Sequence, residues 1–142
     1  GYAYYEQDLE SRTFGVVVDT SGSMSAKQIG MALGSIASYA AAKDVPFVRI
    51  IFCDAKATDA GYLAPEDIAG RVKVTGRGGT ILQPGVDCLE QANDFPKDGP
   101  ILIITDGEIE NDLKVRREHA FLLPRGNRLP FRARGEVFYF RE

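Results

Sequence analysis

The sequence predicts an α/β fold: a doubly wound, mostly parallel open sheet with helices on both faces, trimmed in its last third. Three observations carry this. Apolar runs of strand length recur at residues 14–18, 47–53, 101–105, 121–123 and 137–140. They are continuous rather than alternating, which marks strands covered on both faces and therefore parallel pairing. Helical periodicity lies between them, and a strand, helix, strand, helix, strand order requires right-handed crossovers in an open sheet.

Each element has a local reason. After the first strand, Ser25 and Gln28 stand three apart as a capping box, and Ile29, Leu33, Ile36 and Ala40 follow as a stripe at helical spacing. Asp44 and Pro46 end that helix before the second strand. Residues 57–63 read as a short edge strand and 65–69 as a single helical turn. A second long helix starts near Pro84, because proline lacks the amide hydrogen that the first turn leaves unpaired, and Val86, Leu89 and Ala92 form its buried side. Beyond the strand at 101–105 only residues 110–118 offer another helix. Prolines 124 and 130 argue against one over 124–135.

The chain has 142 residues, 44% hydrophobic, with 17 basic and 20 acidic side chains. That size suits one domain, since a chain near 150 residues buries roughly 70% of its unfolded surface. The chain begins at Gly1 without a methionine, so a single domain over 1–142, excised from a longer protein, is the expectation. No apolar run approaches the roughly 20 residues that span a bilayer, and no signal peptide precedes the first strand, so no membrane role is expected. Cys53 and Cys88 lie in apolar runs and read as reduced core residues, consistent with a cytoplasmic home. Charge is uneven: residues 1–113 carry 9 basic and 17 acidic side chains, and residues 114–142 carry 8 and 3. The arginines at 116, 117, 125, 128, 132 and 134 are broken up by Leu, Pro and Gly. This suits a loop-rich edge facing the acidic body better than a nucleic-acid-reading helix, and no nucleic-acid partner is expected.

Polar residues at strand ends carry the chemistry, because ligands of such sheets bind beyond the carboxyl ends of the strands, where strand order reverses. Asp19-Thr20-Ser21-Gly22-Ser23 follows the first strand, Thr105-Asp106-Gly107 follows a later one, and Gly76-Arg77-Gly78-Gly79-Thr80 lies between. Together they offer Asp19, Ser21, Ser23, Thr80 and Asp106. These are hard oxygen donors without imidazole or thiolate, a set that favours magnesium or manganese over zinc. A dication would also remove the repulsion between the two carboxylates. Read singly, each residue is an ordinary cap or turn residue. Five of them on three strand-end loops make a site the better reading.

These three motifs resemble the von Willebrand factor type A (VWA) domain family: Asp19-Thr20-Ser21-Gly22-Ser23 matches its Asp-x-Ser-x-Ser signature, and Gly78-Gly79-Thr80 and Thr105-Asp106-Gly107 its second and third metal loops. The resemblance covers residues 14–123 and implies an intact metal-ion-dependent adhesion site. Ser21, Ser23 and Thr80 would be its hydroxyl ligands, with Asp19 and Asp106 bound directly or through water. It also implies an open coordination position that takes a carboxylate from a protein partner, and so an interaction module rather than an enzyme. Within the family the chain is similar to bacterial intracellular members found after a metallopeptidase-like region and working with a MoxR-type AAA+ ATPase.

The alternative is a magnesium-dependent, phosphatase-like hydrolase with Asp19 as nucleophile. It wants a second acid where Ser21 stands and a lysine for the phosphoryl group. An aspartic protease fails because Ser21 interrupts Asp-Thr-Gly. The nucleophile elbow and the phosphate loop are absent. His119, the sole histidine, reads as a hydrogen-bonded strand-edge residue. Glu108 and Glu110 read as helix-start acids, with a second role around the cation as the sharper alternative. The terminal aromatics, Tyr2, Tyr4, Tyr5, Phe138, Tyr139 and Phe140, read as packing for the ends of the sheet.

Overall fold

In the computed structural model, which describes residues 13–21, 23–72 and 81–141, the apolar runs become strands. They are β1 (Gly15–Asp19), β2 (Val48–Cys53), β3 (Ala57–Leu63), β4 (Ile101–Ile104), β5 (His119–Pro124) and β6 (Glu136–Phe140). They form one sheet in the order β3-β2-β1-β4-β5-β6. All neighbours are parallel except β3, which runs antiparallel at the edge. Strand order therefore reverses between β1 and β4, the two strands that carry Asp19 and lead into Asp106.

Side chains alternate across a strand, so a sheet buried on both faces needs apolar residues at every position. In β1, Val16 and Val18 enter the core on one face, while Val17 enters the core on the other. The first face is covered by α1 (Ala26–Ala42), whose buried residues are Ile29, Ala32, Leu33, Ile36 and Ala40. Burying each of its larger aliphatic side chains contributes about 2 kcal/mol. The capping box is formed: Gln28 N donates to Ser25 Oγ at 3.1 Å and Ser25 N to Gln28 Oε1 at 3.0 Å. The helix stops where Asp44 takes a positive φ of 55° and Val45 N donates back to Ala40 O. After β3 the chain makes the single turn α2 (Pro65–Ile68), extended by a 3-10 turn.

The second face is covered by α3 (Gln83–Gln91), with Val86 and Leu89 buried; Ala92 falls just past its end. Gly85 lets α3 lie close on the sheet, since a Cβ there would come within 2.8 Å of Val17 Cγ1. No helix forms over residues 110–118, contrary to the sequence expectation. The reason is tertiary. Glu110, Gln83 and Glu90 divert the hydrogen bonds: Leu82 N and Gln83 N donate to the Glu110 carboxylate, Lys114 N to Gln83 Oε1, and Arg116 N to Glu90 Oε2. Within the segment, the Lys114 and Arg116 amides are thus spent on distant side chains rather than on carbonyls one turn back. The segment instead is irregular, with a turn at 111–112, and Leu113 and Val115 pack on the core.

Residues 125–135 also lack a helix, as the prolines implied, and cover the same face with Leu129, Phe131 and Ala133 at alternate positions. Phe131 meets Phe121 edge-on at 5.7 Å. Of the C-terminal aromatics, Phe140 is buried while Phe138 and Tyr139 are about half exposed; Tyr2, Tyr4 and Tyr5 lie outside the described residues. Cys53 and Cys88 are free thiols, and burial pushes both up. No helix among the described residues is long and apolar enough to cross a membrane.

One charged side chain crosses the sheet edge. Arg49, only 6% exposed, donates from Nε and Nη2 to Asp59 on β3 at 2.9 and 2.6 Å, and from Nη1 to Asp94 beyond α3 at 2.8 Å. Its guanidinium also stacks on Tyr62 at 4.9 Å. The hydrogen bonds from Arg49 hold the Asp59 carboxyl below its usual range. Arg49→Met should therefore cost about 1–2 kcal/mol in urea denaturation at neutral pH, because it removes the charged hydrogen bonds to two solvent-accessible carboxylates. A carboxyl with a depressed folded pKa stabilises above its unfolded value and loses that contribution as pH falls through the folded one. The gap between wild type and variant should thus narrow below about pH 4. A gap unchanged down to pH 3 would show that the pair contributes nothing.

Candidate metal centre

β1 and β4 are parallel neighbours, so their carboxyl ends open onto the same sheet edge. Asp19 is the last residue of β1 and has no exposed surface. Both of its oxygens are held: Ser21 N donates to Oδ1 at 2.9 Å and Thr105 Oγ1 donates to Oδ2 at 2.8 Å. Thr105, also fully buried, accepts from Gly107 N at 3.1 Å, so one hydroxyl links the two loops. The first loop is tied down further by Thr20 N donating to Cys53 O and Met24 N to Ser21 O, with Met24 buried beneath it.

Ser21 Oγ and Ser23 Oγ lie 3.0 Å apart, the first buried and the second exposed. Asp106 is 4% exposed, and its Oδ1 accepts from Glu108 N at 3.0 Å. Burial pushes the Asp19 carboxyl up, the hydrogen bonds from Ser21 and Thr105 pull it down, and the Asp106 charge pushes it up again. Two nearly buried carboxylates thus share one edge with no cationic side chain among their hydrogen-bond partners in the described residues.

The donor set fits a magnesium-type ion. Adjacent vertices of an octahedron with bonds of ~2.05 Å are ~2.9 Å apart, close to the separation of the two serine hydroxyls. The Asp19 carboxylate accepts from the Ser21 amide and side chain and from Thr105; with two acceptor oxygens and about four lone-pair sites it can still ligate a cation or hold a bound water. Among the described residues no three His, Cys, Asp or Glu side chains gather as a metal-holding group, so a cation held here would need the hydroxyls as well as the carboxylates. Of the five residues singled out in the sequence, Asp19, Ser21, Ser23 and Asp106 stand at this edge. Thr80, with Gly76-Arg77-Gly78-Gly79 before it, lies outside the described residues.

Three acids and bases considered for the site have other roles or places. Glu110 caps the amino end of α3 with its carboxylate, and Glu108 is exposed. His119 Nδ1 pairs with Arg117 O at 2.8 Å, and its ring meets Phe121 edge-on. Two positioning residues were not singled out by sequence. Thr105 joins the loops, and its place between an apolar strand and Asp106-Gly107 was the available signal. Asn127 Nδ2 donates to the Asp106 carbonyl at 2.9 Å, for which no sequence signal exists. Gly107 has φ 91°, and a Cβ there would come within 2.0 Å of Arg128 O, so glycine is needed for the loop containing Arg128 to lie against the site.

Comparison with known proteins bears on this geometry. The family model for a VWA-like domain, DUF2201, matches residues 14–117. A search of curated proteins finds no match. Among solved structures, one similar in fold is an aerotolerance-related membrane protein from Bacteroides fragilis NCTC 9343 carrying multiple mutations to serines, with a TM-score of 0.60 and 14% identity over 90% of each chain. At that identity the likeness is one of fold alone.

Enforced burial of a negative charge predicts a stability cost at the site. In chelator at neutral pH, Asp19→Asn should be more stable than wild type by on the order of 1 kcal/mol, since it keeps the shape and removes the charge. Chemical denaturation of both forms checks this; a less stable variant would mean that the carboxylate stabilises the metal-free fold.

Proposed function

The chain belongs to the DUF2201 family of VWA-like domains, and from that premise we propose that it is a divalent-metal-dependent protein–protein interaction module. The observation that carries the reading is the pair of serine hydroxyls 3.0 Å apart beside the fully buried Asp19 carboxylate, at the point where strand order reverses. Ser21, Ser23 and Asp106 would hold Mg2+ or Mn2+ together with Asp19 and, from the third loop, Thr80. When bound, the cation supplies a Lewis-acidic position that accepts a carboxylate from a protein partner in exchange for water.

The chain's own residues do the preparation. Thr105 and the Ser21 amide orient the Asp19 carboxylate before any partner arrives, so little ordering remains to be done on binding. Burial of Asp19 and Asp106 keeps competing water away and strengthens the charge-assisted contact. An acidic side chain on a protein is the partner chemistry this arrangement fits, and the MoxR-type AAA+ ATPase that the family resemblance implies is the candidate to carry it. No step of this reading calls for catalysis.

Thermal denaturation tests it. Mg2+ or Mn2+ at one hundred times its Kd stabilises the folded state by about 2.7 kcal/mol, so the wild-type Tm should rise by several degrees, whereas Asp19→Ala and Ser21→Ala should not move. Equal shifts in all three proteins would refute specific coordination. Turnover of a phosphate ester by the metal-loaded protein, abolished in Asp19→Asn, would favour the hydrolase instead.

A further inference from the structure

The parallel register carries one more group of side chains to the edge where Asp19 and Asp106 stand. β5 and β6 end at Pro124 and Phe140, paired with each other, and Arg125 and Arg141 follow directly. Arg125 N donates to Phe140 O at 2.9 Å. Neighbouring strands are about 4.8 Å apart, so this edge reads in lateral order as Asp19, Asp106, Arg125 and Arg141, spread over ~15 Å.

The loop holding these arginines is not free to drift. Asn127 N closes a turn onto Pro124 O at 3.1 Å, with Gly126 at φ 94°. Asn127 Nδ2 binds the Asp106 carbonyl, and the Arg128 carbonyl lies against Gly107. Arg125 and Arg128 are thereby fastened to the same loop that presents Asp106. With Tyr139 and Arg141 they border a shallow depression of about 560 Å3.

Their charges are also unspent. Arg125, Arg128 and Arg141 are exposed, and none has a carboxylate within ion-pair distance among the described residues, whereas Arg49 and Arg116 are paired. Resting on the metal-dependent reading above, we infer that the Arg125–Arg128 turn and Arg141 form the second half of the docking surface. They bind further carboxylates of an acidic protein segment whose leading carboxylate reaches the metal position. Guanidinium groups suit this task, because their forked donors match carboxylates two at a time.

A nucleic acid fits less well. Its evenly spaced phosphates need a continuous basic track, and here the basic cluster stands one strand from Asp106 and two from Asp19, on a body whose first 113 residues carry 17 acids against 9 bases. An acidic segment with one carboxylate on the cation and others on arginines satisfies both halves.

The test is fluorescence anisotropy at low salt with the Mg2+-loaded chain and two labelled peptides. One carries a single glutamate in a glycine–serine background; the other adds three glutamates on one side of it. Arg134 supplies a charge-matched control at the opposite edge, since Gly135 packs on the His119 carbonyl at the start of β5. The multi-glutamate peptide should bind wild type about tenfold more tightly than the single-glutamate one. That advantage should vanish in the Arg125→Glu/Arg128→Glu double variant, while Arg134→Glu keeps most of it and chelator abolishes binding of both peptides.

Equal affinity for both peptides, or equal losses in the double variant and the Arg134→Glu control, would overturn the inference and leave the metal reading standing. Arginine-dependent binding that chelator does not touch would instead sink the metal reading. Displacement of the multi-glutamate peptide by oligo(dT) at lower concentration than by its own unlabelled form would overturn the choice of an acidic protein partner.

Discussion

A carboxylate with no exposed surface stands at the carboxyl end of the central strand, held by one backbone amide and one buried hydroxyl. The rest of the site depends on that pair of hydrogen bonds. They fix the Asp19 carboxylate in a single orientation, and through Thr105 they join the loop after β1 to the loop after β4. Without the link, two short turns on neighbouring strands would each relax toward water. With it, Asp19 and Asp106 are held at one sheet edge, and no cationic side chain is among their described hydrogen-bond partners. A buried carboxylate held in one orientation with no cationic partner is a common mark of function.

The sheet makes this possible through its order. Since β1 and β4 are adjacent although far apart in sequence, the chain leaves a crevice at the edge where it changes direction, and both carboxylates fall there. The last third of the molecule then closes the second face without a helix. Leu113, Val115, Leu129, Phe131 and Ala133 cover the core from irregular segments, and the carboxylate of Glu110 takes the place of a side-chain cap that Leu82 cannot supply at the start of α3. The same economical connection leaves the Arg125–Arg128 turn at the edge rather than burying it under a longer crossover.

How much of this was legible depends on how far apart the cooperating residues lie. The inner strands showed clearly because burial on both faces demands apolar runs, and α1 because its cap and stripe are local. Asp19, Ser21, Ser23 and Asp106 were legible as polar residues directly following such runs. Local propensity misreads the segment at 110–118 because its Lys114 and Arg116 amides bond to side chains 31 and 26 residues away, a competition that it does not register. For the same reason Asn127, 21 residues from Asp106, could not be found, and the arginine turn could be counted as basic but not placed. Thr105 was visible as a residue and not as a bridge, since its role rests on a contact 86 residues distant.

The account turns on convergence of hard oxygen donors upon one dication, and diffraction from crystals of this chain grown in Mn2+ tests that most directly. Anomalous scattering should show one peak at this sheet edge, ~2.2 Å from Ser21 Oγ and Ser23 Oγ, with Asp19 and Asp106 ligating it or one water away. A peak elsewhere, or none at saturating Mn2+ with these loops ordered, would contradict the account.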